Sequence, residues 1–221
     1  MITVHHLENS RSQRILWLLE ELGVPYEVKL YKRDPKTLLG SPELKKVHPL
    51  GKSPVITDGD ITVAETGAIV EYLVETYGEG RLIPKAGTPE KRAYTYWLHY
   101  AEGSAMPPML LRFVFLRIPM AVPGLIRPIV KAVSKGALEG FVDPQIRNQL
   151  EWCEQSLSKT SWFAGPDFTA ADVMMSYPTE VAEARFDVTA YPHVAAFANA
   201  IHARPAYQRA LERGGPYGVP G

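Results

Sequence analysis

The strongest constraint on this chain is a change of rhythm about a third of the way along it. Up to Gly78, short β-rich runs alternate with helical stretches, whereas from Thr88 onward almost no strand pattern is present. Ile2 to Leu7 reads as a strand, and Tyr26 to Tyr31 as another, with Tyr26, Val28 and Leu30 on one face. Between them, Ile15, Leu16, Leu19 and Leu22 recur at helical spacing and Gly23 supplies a stop. A strand, a helix and a strand in so short a span make the βαβ unit of a parallel pair. Ser41-Pro42 then opens a short helix that runs to Val47. Pro54 to Thr57 and Ile61 to Val63 flank Asp58-Gly59-Asp60, a strong hairpin signal. Glu65 to Tyr77 closes the half as a helix that buries Ile69, Tyr72 and Leu73. The expected order is βαβ, then α, then ββα.

The second half reads as all-helical, with helices at Pro89–Tyr100, Gln145–Leu157, Thr169–Ala184 and Pro192–Ala203 and a short final one. The Gly- and Pro-rich stretch from Gly78 to Gly87 reads as a linker. The expected layout is therefore an α/β domain over 1–78, a linker over 79–88 and an all-helical domain over 89–221. Thr169 and Asp172 form a capping-box arrangement at a helix start, flanked by Phe168 and Val173 as a hydrophobic staple. That start is expected to be structural and not to touch substrate.

Ala105 to Val133 is the most apolar stretch, but Arg112, Arg117, Arg127 and five prolines interrupt it. No clean run of about 20 apolar residues exists, so the stretch reads as soluble core and not as a membrane span. Lys plus Arg and Asp plus Glu each total 24, which gives no single-signed field to gather nucleic acid or an anionic membrane. The opening residues lack a basic stretch followed by an apolar run, so no signal peptide is expected. The lone Cys153 excludes an internal disulfide and a cysteine-cluster metal site, and it reads as a small buried hydrophobe. A reducing cytoplasm is the expected compartment.

A βαβ-α-ββα order with a proline opening the third strand suggests a thioredoxin-like fold, whose members handle thiols. A disulfide oxidoreductase needs a cysteine at the first strand-to-helix turn. Here that turn reads Leu7-Glu8-Asn9-Ser10-Arg11-Ser12-Gln13-Arg14, with two hydroxyls instead. Serines in this position ordinarily cap a helix; alternatively, one donates a hydrogen bond to the thiolate of a ligand. Gly51-Lys52-Ser53-Pro54-Val55 is either a plain tight turn or, with a cis Pro54, a place where the Val55 peptide grips an extended ligand. Ala64-Glu65-Thr66-Gly67-Ala68-Ile69 puts an acid and a hydroxyl at a helix N-terminus, which suits the ammonium and carboxylate of an α-amino acid end. Acidic residues are also simply favoured in a first turn.

Together, the order and spacing of these three segments resemble the glutathione transferase superfamily over essentially the whole chain, and its cytosolic, serine-type, bacterial members in particular. The Thr169–Asp172 helix start resembles that family's as well. The resemblance implies glutathione as co-substrate, with Ser10 activating its thiol and Ser12 and Asn9 as competitors for that contact. Val55 would pair with the cysteinyl backbone, with Pro54 as the structural cis-proline. Glu65 and Thr66 would hold the γ-glutamate, Lys52 would face the glycine carboxylate, and Arg11 would be an extra contact. Met106, Met109, Leu110 and Phe113 fall where the family places its electrophile pocket, although each also suits a packed core.

The implied activity is attack of a glutathione thiolate on an apolar electrophile, such as an activated aryl halide or an organic hydroperoxide. A non-catalytic glutathione-binding regulator and a glutathione-dependent isomerase or dehalogenase are the alternatives. A homodimer is implied by the family alone, and neither a nucleic acid nor a membrane partner is expected. His5, His6 and His48 lack metal-ligand spacing and read as structural, so no metal is expected. Asp34-Pro35-Lys36 reads as a solvated loop near the rim of the ligand site.

Overall fold

The computed structural model describes residues 1–34, 37, 39–215, 217 and 218. Pro35 and Lys36 of the expected rim loop lie outside the described residues. The first half contains β1 (Ile2–Leu7), α1 (Gln13–Leu22), β2 (Tyr26–Tyr31), α2 (Leu44–Val47), β3 (Val55–Asp58), β4 (Ile61–Ala64) and α3 (Thr66–Tyr77). Its sheet runs β2-β1-β3-β4, with β1 parallel to β2 and antiparallel to β3. Gly23 takes a left-handed φ of 68° after α1, where its N–H returns to the Leu19 carbonyl. Gly59, with φ of 58°, turns the hairpin. β2 is an outer strand, and burial fades along its face from Tyr26 to Leu30, which is 55% exposed.

The second half contains α4 (Pro89–Tyr100), α5 (Met106–Ala121), α6 (Arg127–Ala137), α7 (Asp143–Leu157), α8 (Ala170–Arg185), α9 (Pro192–His202) and α10 (Pro205–Gly214). Wider π turns, Ala101–Ala105 and Leu138–Val142, join α4 to α5 and α6 to α7. At the start of α8 the Asp172 carboxylate accepts the Thr169 N–H at 2.8 Å, its hydroxyl at 3.1 Å, and the Phe163 N–H at 2.8 Å. Phe168 lies against the rings of Trp17 and Trp162.

The two halves share one core. Val4, Ile15, Trp17 and Leu73 from the first pack in the same cluster as Trp97, Val173, Met174 and Phe197 from the second. Arg14, buried on α1, donates to the Met174 carbonyl at 2.6 Å and pairs with Glu102 at 2.5 Å, which pins α1 to the helical layer. That contact fixes the relation between the first strand-to-helix turn and α5.

Ala105 to Val133 is not core as expected. Only Met106, Pro108, Met109 and Pro119 are buried in α5, and only Ser134 in α6. The two helices pack on each other and carry their outer faces beyond the main cluster, leaving Met120, Leu125, Ile129 and Val133 at least 66% exposed. Among the described residues, no helix is long and apolar enough to cross a membrane. Cys153 is buried on α7, and burial pushes its thiol up to about 12, so it is inert as a nucleophile at neutral pH.

Candidate active site

Sheet register brings three segments to one end of the sheet. His5 pairs with Val55, and Val55 pairs with Ala64. The turn after β1, the Ser53-Pro54 segment before β3 and the Glu65-Thr66 step after β4 are therefore neighbours, although the chain separates them widely. The Ser53–Pro54 peptide is cis. Glu65 is exposed at the N-cap of α3 with φ of 74° and ψ of 128°, a conformation that disfavours a residue with a Cβ and that clusters at ligand sites. Thr66 beside it is buried.

Val55 does not present a free peptide edge. In an antiparallel strand the N–H and C=O of one residue point the same way. Val55 has β1 on one side and β4 on the other, so that pair meets a strand in either case, and its side chain is 1% exposed. It is Ser53, one residue before the proline, that lines the groove.

That groove has a volume of about 720 Å³, and its walls include Ser10, Arg11, Arg33, Lys45, Lys52 and Ser53. Lys52 is exposed and Arg11 half-buried. Glu65, Thr66 and Val55 are not among its lining residues. Four basic side chains against the single carboxylate of Asp34 suit a peptide with two carboxylates.

The hydroxyls at the turn form an ordered chain. The Oγ atoms of Ser10 and Ser12 are 2.7 Å apart, and Ser12 Oγ is 2.8 Å from His6 Nδ1. His6 Nε2 faces Gly214, whose backbone carbonyl bonds the ring, so Nδ1 is left as the acceptor. Burial holds the His6 pKa below its ordinary value, which keeps the imidazole neutral. The Ser12 hydroxyl thus donates to His6, and its oxygen accepts the Leu7 N–H at 3.2 Å. Ser12 is wholly buried. Asn9 is occupied too: its Oδ1 accepts the Gly218 N–H at 2.9 Å, and its φ is 50°. Ser10 alone of the three lines the groove, and its oxygen accepts the Ser12 N–H at 3.2 Å.

A second cavity, of about 300 Å³, adjoins the groove. Met106, Met109, Leu110 and Phe113 of α5 line it together with Tyr177, Val181 and Arg185 of α8. Arg11, Arg33 and Tyr177 line both spaces, so the two meet beside Ser10. The guanidinium groups of Arg11 and Arg14 each lie 5.3 Å from the Tyr177 ring centre. Arg11 also reaches Glu102 at 3.5 Å.

His6, Arg33, Lys45, Tyr177 and Arg185 also meet here, although none stands out in the sequence as a site residue. Only the position of His6 at the end of β1 hinted at its place. Tyr177 and Arg185 meet α5 through tertiary packing that no local pattern records.

A thioredoxin-like domain bearing a hydroxyl in place of a cysteine, joined through one core to a helical domain, defines a thiol-binding two-domain class. The profile of the glutathione S-transferase N-terminal domain matches residues 1–75, and that of the C-terminal domain matches residues 117–205. The chain is 35% identical to glutathione S-transferase 3 of Schizosaccharomyces pombe, over 96% of this chain and 88% of that protein. It is 30% identical to glutathione S-transferase 1 of Saccharomyces cerevisiae, over 96% of this chain and 95% of that one. A crystal structure of a glutathione S-transferase from Actinobacillus pleuropneumoniae superposes with a TM-score of 0.78 at 32% identity, covering 97% of this chain and 93% of that chain. The chain belongs to the glutathione S-transferase family.

Proposed function

We propose that the chain is a serine-type glutathione transferase in which Ser10 stabilises the thiolate of bound glutathione. The observation that carries this reading is the hydrogen-bond chain at the turn. With Ser12 giving its proton to His6, Ser10 donates to the Ser12 oxygen in the free protein, and Ser10, the hydroxyl at the groove wall, is the one that can turn its proton to a ligand. The Ser12 N–H on its oxygen polarises that hydroxyl and strengthens it as a donor.

A cysteine-like thiol has a pKa of about 8.5, and lowering it by about two units requires about 2.7 kcal/mol of preference for the thiolate. A hydroxyl bond to a charged acceptor contributes about 1.5–3 kcal/mol, and the α1 N-terminus adds about 0.3–1 kcal/mol. These two effects suffice. The groove cations Lys45 and Lys52 suit the glycine carboxylate, the Ser53 peptide suits the cysteinyl backbone, and Glu65 with Thr66 suits the γ-glutamyl end. The adjoining cavity on α5 and α8 receives the electrophile, an activated aryl halide or an organic hydroperoxide, with proximity supplying the remainder of the acceleration.

Calorimetric titration with glutathione, followed by conjugation of an aryl halide at pH 7, tests the reading. Binding with turnover supports it. Binding with no turnover across several electrophiles points to a regulator of the same fold. Absence of binding at millimolar glutathione defeats both.

A further inference from the structure

The adjoining cavity sets an apolar wall beside several arginines. Its lining includes Arg11, Arg33, Arg117 and Arg185 and no acidic residue. Arg11 has Glu102, and the nearby Arg112 has Asp143 at 3.1 Å. Arg185 has no hydrogen bond or ion pair among the described residues, and its buried Nε is without a partner. The guanidinium groups of Arg117 and Arg185 lie 4.6 and 5.4 Å from the centre of the Phe113 ring. Burial lowers the Arg185 pKa, and the charges of Arg112 and Arg117 lower it further, so a cation is being held beside other cations. The cost of that arrangement is offset when an anion enters.

We infer that this cavity selects an apolar electrophile carrying a carboxylate or sulfonate, with its body on Met106, Met109 and Leu110 and its anionic end on Arg185. The inference rests on the glutathione transferase reading for its chemistry. Phe113, whose ring lies beside the Arg185 guanidinium, favours an aromatic body that leaves the anion at the far end from Ser10. The reacting carbon then faces the shared wall at Arg11 and Tyr177. With a chloronitrobenzoate, the glutathione sulfur bonds to the chlorine-bearing carbon, chloride leaves with the C–Cl electron pair, and the thiol proton passes to solvent.

The probes are 4-chloro-3,5-dinitrobenzoate and its methyl ester, with rates corrected for the uncatalysed reaction. The expected kcat/KM favours the acid by about tenfold, the scale of one charge-assisted hydrogen bond. Arg185→Met should lower the acid-to-ester ratio about tenfold through KM of the acid, and Arg185→Lys should restore part of it. A ratio at or below one in the wild-type enzyme, or a ratio that Arg185→Met leaves unmoved, overturns the inference. Calorimetry separates the two layers. Glutathione that releases no heat defeats the transferase reading. The titration of unreactive 3,5-dinitrobenzoate against its methyl ester still decides the charge preference in that case.

Discussion

The two adjoining spaces are built in opposite ways. At the groove on the sheet end, the long side chains of Arg11, Arg33, Lys45 and Lys52 line the space, and the turn behind it has short polar side chains with fixed partners: Ser12 to His6, Asn9 to Gly218, and Ser53 Oγ to the His5 carbonyl at 2.8 Å. The cavity on α5 and α8 is made of long side chains, with Leu110 55% exposed and arginines resting on aromatic faces. A site that ionises one invariant ligand gains from donors already in place before the ligand arrives. A site for a varied second substrate gains from surfaces that can move. On the proposed reading, the rigid half carries the chemistry and the softer half the selection.

The sharpest way to break this comparison is at the rigid half. Ser10→Ala should cut conjugation at pH 7 by about 10- to 100-fold, the value of a hydrogen bond to a charged group. Glutathione affinity measured calorimetrically should stay within about threefold, because the carboxylate and peptide contacts remain. Full retention of rate in that variant would move the thiol contact to Ser12, Asn9 or a backbone N–H.

Next in size is a structural effect at the start of α8. Asp172→Ala leaves the buried N–H groups of Phe163 and Thr169 without their acceptor and should cost about 2–4 kcal/mol in urea unfolding. Activity per folded molecule should hold, since that helix start is remote from both spaces. His6 comes third. Because burial lowers its pKa, the folded state binds fewer protons than the unfolded one; His6 contributes full stability above its unfolded value of 6.5 and loses it as pH falls below that. His6→Asn should flatten that acid decline, and by freeing Ser12 it should slow conjugation about three- to tenfold. The smallest effect belongs to the soft half. Leu110→Ala, at an exposed position, should change unfolding free energy by less than about 0.5 kcal/mol while raising KM for an aryl electrophile about two- to threefold.

The same contrast governs what the sequence discloses. The βαβ unit, the hairpin at Gly59 and the turn carrying Ser10 follow from local periodicity and turn chemistry, and the sheet register then forces them together. The pairing of Val55 with His5 and Ala64 is a property of the fold that the segment after the proline does not disclose. His6 looks like an ordinary strand histidine because its partners, Ser12 and Gly214, meet it only through the fold. The Ala105–Val133 stretch looks like core because composition cannot tell a helix inside the molecule from a hairpin packed mostly on itself. Tyr177 and Arg185 sit on α8, which the fold alone brings to α1 through the Arg14 bond to the Met174 carbonyl, while Glu102, in the turn before α5, holds the same arginine.

The proposed chemistry depends most on thiol ionisation in the groove. Ultraviolet difference titration of glutathione bound to the wild-type protein reads the thiolate directly as pH is raised. A bound-thiol pKa about two units below the ordinary 8.5 is the expected result. A value that stays at or above 8.5 with glutathione saturating the groove would contradict it.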